Sequence, residues 1–94
     1  IFWFDGCNPH RYEPDFVVET ENIIYLIETK KANAMNDSDV LEKAKAALIY
    51  CKNATKYNLK NGGKVWKYIL LPHDSVQENM TFEYLVKQYE YNKE

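Results

Sequence analysis

Between Tyr12 and Lys30 the chain reads Tyr-Glu-Pro-Asp-Phe-Val-Val-Glu-Thr-Glu-Asn-Ile-Ile-Tyr-Leu-Ile-Glu-Thr-Lys, and this stretch limits the folds open to the rest. Two runs rich in β-branched and aromatic residues, Phe16 to Thr20 and Ile23 to Thr29, flank the polar pair Glu21-Asn22. Such side chains suit a pleated surface, and a two-residue polar break between two such runs signals a hairpin. If Thr20 pairs with Ile23, the register sets Asp15 opposite Glu28 and Glu13 opposite Lys30. Side chains alternate along a strand, so Asp15, Glu28 and Lys30 leave one face. Apart from Asp15 and Glu19 the first run is apolar on both faces, and Ile23 to Ile27 behaves alike, which calls for a sheet covered on both sides.

Two opposed carboxylates are an unusual choice. Their Cβ atoms lie roughly 5 Å apart, and at an effective dielectric near 20 the charges repel by roughly 3 kcal/mol. A divalent cation between them reverses the sign of that interaction. Hard cations such as Mg²⁺ are typically held by one or two carboxylates, with water and substrate phosphate completing the shell.

Pro14-Asp15 followed by Glu28-Thr29-Lys30 resembles the PD-(D/E)xK signature of restriction-endonuclease-like nucleases. The longer strings Tyr12-x-Pro14-Asp15-Phe16-Val17-Val18 and Tyr25-Leu26-Ile27-Glu28-Thr29-Lys30 are similar to the nuclease domain of the restriction subunit of type III restriction enzymes. Lys43-Ala-Lys-Ala-Ala47 and Tyr50-Cys51, where that family often has Trp-Cys, extend the similarity, which spans Tyr12 to Cys51. The resemblance implies a restriction-endonuclease-like mixed β-sheet flanked by helices, here without that fold's usual first helix. It implies a metal-dependent DNA endonuclease in which Asp15, Glu28 and Lys30 are catalytic. Asp15, Glu28 and the Thr29 carbonyl would hold Mg²⁺, for which Mn²⁺ can substitute. Lys43, Tyr12 and Glu13 fall on the substrate side, with Glu13 also placed to pair with Lys30. ATP enters only through a helicase-like motor elsewhere in the parent protein, and a methyltransferase subunit and DNA are the further partners. The alternatives are a catalytically silent nuclease-like module that binds nucleic acid or protein, and a DNA-repair or mobile-element nuclease with the same site.

Ninety-four residues suffice for one small domain. The chain opens without Met on Ile-Phe-Trp-Phe and is read as an excised C-terminal piece of a larger protein. No secretory signal or membrane-length apolar run appears, and two cysteines, Cys7 and Cys51, suit a reducing, cytoplasmic setting without disulfides. The net charge of −2 lacks the basic footprint usual for a nucleic-acid-binding domain, so any backbone contact must come from local lysines. Nothing resembles a helix-turn-helix or zinc module, so cleavage by this piece alone is expected to be feeble and without sequence preference.

Along the rest of the chain, Ile1 to Phe4 reads as a short strand, with Asp5-Gly6 and Asn8-Pro9 marking a turn. Asp39 with Glu42, or Asp37 or Ser38, can cap a helix whose apolar positions Val40, Leu41, Ala44, Ala47, Leu48 and Cys51 keep helical spacing to about Tyr57. Asn61-Gly62-Gly63 breaks it, Val65 to Leu71 is a strand stopped by Pro72, and a last helix starts at Ser75 or Thr81 with the core stripe Phe82, Leu85, Val86, Tyr89. The order is β-β-β-α-β-α, an α/β domain.

Overall fold

In a computed structural model, which describes residues 1–5, 8–11, 13–35, 37–73 and 81–92, the hairpin forms with the anticipated register. Strand β3 (Phe16–Glu19) runs antiparallel to β4 (Ile23–Lys30), with Phe16 facing Ile27 and Glu19 facing Ile24. The turn closes on Thr20. Its N–H donates to the Ile23 carbonyl at 2.8 Å, and its Oγ1 accepts from the Ile23 N–H at 3.2 Å.

β4 is the central strand of three. On its other side it pairs in parallel with β5 (Val65–Pro72), Glu28 lying beside Leu70 and Lys30 beside Pro72. Parallel neighbours need a long crossover, and α1 (Ser38–Lys60) supplies it. The sheet is therefore mixed, and the period of two sorts its side chains into two layers. Leu26, Tyr68 and Leu70 pack with Val40, Ala44, Ala47 and Cys51 of α1. Tyr25, Ile27, Ile69 and Leu71 face the other way, against Leu85, Val86 and Tyr89 of α2 (Phe82–Tyr89). Ala44 and Ala47 are fully buried, and only a methyl group there lets the helix axis approach the sheet so closely.

The ends of the elements follow from local chemistry. Gly62 takes φ 75° just past α1, a conformation that glycine adopts without steric cost. Thr55 Oγ1 ties the helix to β5 by accepting from the Trp66 N–H at 2.9 Å and donating to the Trp66 carbonyl at 3.2 Å. Thr81 caps α2, its Oγ1 accepting from the Tyr84 N–H at 3.1 Å, while Ser75 lies outside the described residues. Asp37 occupies the N-cap of α1, one of the three candidate positions, and its side chain makes no capping hydrogen bond.

One expectation is corrected. Asn8-Pro9 does not form a turn: β1 (Phe2–Asp5) pairs with β2 (Asn8–Arg11) in a separate two-stranded ribbon, with Pro9 facing Phe4. Every strand of a two-stranded ribbon has an outer edge, where a proline's missing N–H costs the ladder nothing. The order is thus β-β-β-β-α-β-α, a mixed α/β architecture. Among the described residues, no helix is long and apolar enough to cross a membrane.

Candidate functional site

The hairpin ends in the site. The Thr20–Ile23 closure sets which pairs along β3 and β4 exchange hydrogen bonds, and counting outward by twos brings Thr29 opposite Pro14. Proline has no N–H to give the Thr29 carbonyl. The chain bends at Asp15, and the Asp15 carboxylate takes over the ladder position: its Oδ2 accepts from the Thr29 N–H at 3.0 Å and from Thr29 Oγ1 at 3.0 Å.

Glu28 lies beside it. At 6% exposure it is the one buried charged residue among those described, at the end of the layer shared by Leu26, Leu70 and α1. Its carboxyl group is hydrogen-bonded to that of Asp15, and this bond is the leading reason that Asp15 titrates below the usual carboxylate range. Burial opposes the shift; the Thr29 N–H and hydroxyl and the charge of Lys30 add to it. A hydrogen bond between two carboxyl groups contains one proton. Asp15, surrounded by donors and a cation, keeps its anionic form to a lower pH than a free carboxyl group. The two opposed carboxyl groups anticipated from the sequence therefore meet, in the metal-free chain, as a hydrogen-bonded pair.

Lys30 is half-buried on the same face of β4. It lines a cleft of about 500 Å³ with Ala34, Asp37, Ser38, Asp39, Val40 and Lys43. The fold thus brings Lys43 to the same cleft as Lys30, while Asp15 borders a different cleft with Phe16, Thr29, Leu71 and Phe82. Glu13 is exposed and lies 3.8 Å from Arg11 rather than pairing with Lys30. Tyr12 lies outside the described residues.

Two carboxyl groups within hydrogen-bonding reach, plus a backbone carbonyl facing a proline, fit a hard divalent cation that keeps several waters. They do not fit a site closed by protein ligands alone. Among the described residues no group of three or more His, Cys, Asp or Glu side chains converges. Sequence reasoning missed two contributors: the N–H and hydroxyl of Thr29 as the anchors of Asp15, and the first turn of α1 as a wall of the cleft. The alternation of hydrogen-bonded pairs, carried past the end of the hairpin, was the available signal for the first. No protein-family model matches the chain, nor does any curated protein or solved structure.

Proposed function

We propose that this chain is a nuclease domain that hydrolyses DNA phosphodiester bonds with a divalent cation, Mg²⁺ or Mn²⁺. The observation that carries the reading is the carboxyl pair Asp15–Glu28 at the end of a hairpin, with Lys30 close enough to lower the Asp15 pKa. Asp15, Glu28 and the Thr29 carbonyl are the residues to hold the ion, which when bound polarises a phosphate and acidifies a water. Liganding needs both carboxyl groups ionised, so the proton they share leaves as the site loads, and binding weakens toward acid pH. Lys30 cannot ligate a cation; its ammonium orients the attacking water and offsets negative charge growing on the phosphate oxygens. Lys43, across the cleft, steadies a neighbouring phosphate. By its resemblance to type III restriction subunits, the domain would work beside a helicase-like motor and a methyltransferase that reads the sequence.

A second reading is favoured by how fully Thr29 satisfies Asp15: the pair is a latch, and the module binds nucleic acid or protein without cutting. One experiment separates the two. The chain is incubated with supercoiled plasmid and Mg²⁺ or Mn²⁺, beside Asp15→Asn, Glu28→Gln and Lys30→Ala. The nuclease reading expects slow nicking without sequence preference, lowered by roughly 100-fold or more in each variant, the usual effect of losing a group that stabilises developing charge. Equal nicking by all four proteins would defeat it. Calorimetry with Mn²⁺ adds a readout without DNA: heat of binding in the wild type that is lost in the Asp15→Asn, Glu28→Gln double variant.

A further inference from the structure

We propose that the solvent face of α1 is a second nucleic-acid contact, a track for the phosphate backbone separate from the carboxyl pair. Between Lys43 and Lys67 the chain holds seven lysines and no acidic residue, whereas all 14 acidic residues lie elsewhere. The net charge of −2 thus hides a strong segregation of charge. The fold turns four of the seven into a surface that begins one turn after the exposed Glu42, while Lys64 and Lys67 pair with Glu19 and Glu90 and Lys43 lines the cleft with Lys30. Lys45, Lys52, Lys56 and Lys60 are all exposed and, at 100° per residue, fall within about a quarter-turn of one another, on the side of α1 away from Ala44 and Ala47.

The spacing fits a polyanion of regular repeat. Lys52, Lys56 and Lys60 follow one another at one turn each, about 6 Å along the axis, and Lys45 to Lys60 spans about 22 Å. Backbone phosphates recur every 3.4 Å of axis on each strand of a duplex, so lysines one helical turn apart can reach neighbouring phosphates of a strand that crosses this face. An anionic membrane is the poorer match. A helix that lies in a membrane interface inserts its apolar face, and the apolar face of α1 is already spent on the sheet. Ile49 (52% exposed) lies among the lysines, whereas Leu59 faces a groove shared with Val65, Trp66 and Tyr91, and Tyr50 and Tyr57 fall on a neighbouring face. That the polyanion is DNA rests on the nuclease reading; that the face binds a phosphate backbone does not.

The test is fluorescence anisotropy of a labelled 20-base-pair duplex with the full chain in EDTA, where no metal-dependent cleavage occurs. Salt is varied, and wild type is compared with Lys45→Ala/Lys56→Ala/Lys60→Ala and with Asp15→Asn/Glu28→Gln. Each phosphate contact contributes about −0.9 to the slope of log K against log[salt]. The triple variant should therefore bind at least ~10-fold more weakly with a slope shallower by about 3, while the carboxyl variant binds at least as well as wild type. Circular dichroism checks that the triple variant keeps its helix, and a Lys→Gln version repeats the test if it does not. An unchanged slope in a folded triple variant overturns the proposal, as does binding to phosphatidylserine vesicles but not to DNA. DNA binding without nicking in any metal leaves the track standing and removes the nuclease reading. Nicking with no loss in the triple variant does the reverse.

Discussion

Replacing Asp15 by alanine tests the hydrogen-bonded pair most directly. The substitution removes the acceptor for two Thr29 donors, each at 3.0 Å, and the partner of a Glu28 carboxyl that is 6% exposed. Hydrogen bonds to a charged group contribute about 1.5–3 kcal/mol net. Asp15 is exposed, and water can take its place at Thr29, so about 1 kcal/mol is assigned to those two bonds together. Loss of a partner for a buried polar group costs about 1 kcal/mol at the low end of its range. The expected loss is about 2 kcal/mol, a fall in Tm of roughly 8–16 °C for a domain of this size. Two repelling anions would predict the opposite sign, a gain of up to roughly 3 kcal/mol. Urea unfolding at neutral pH, followed by tryptophan fluorescence, measures the difference. The pH dependence provides an internal check. Because the folded-state pKa of Asp15 is depressed, its contribution is present above the unfolded carboxylate value of about 3.9 and is lost as pH falls through the folded value. Wild type and variant should therefore converge at the acid end. A loss under about 0.5 kcal/mol, or a gain, would refute the hydrogen-bonded pair.

Other tests address the frame that holds the site. Ala47→Leu drives a side chain into a fully buried position between α1 and the sheet, and denaturation should show a loss of about 1–3 kcal/mol. Thr81→Ala removes the cap of α2 and should cost about 0.5–2 kcal/mol in the same assay, with the m-value unchanged. Burial pushes the Cys51 thiol up to about 12, so in the native chain it should resist iodoacetamide at pH 8 and react once urea exposes it, as peptide mass spectrometry will show.

Much of this molecule is legible in its sequence because the decisive signals are local. A polar pair between two β-branched runs fixes a tight turn, and the turn fixes the register, so Asp15 and Glu28 meet without any knowledge of the rest. The alanine-lined stripe of α1 and the threonine before α2 likewise state their own roles. What lay out of reach depended on long-range geometry or on protons. The proline at position 9 reads as a turn by itself, and only pairing with Phe4 at the edge of a ribbon makes it a strand residue. The family resemblance alone singles out Lys43 in the sequence, and it is the parallel crossover that lays the start of α1 beside the end of β4 and gives it one cleft with Lys30. The sequence places two carboxyl groups face to face, but it does not say how dry each one is. The tertiary structure decides that, by burying Glu28 under α1 while leaving Asp15 at the rim with the Thr29 donors.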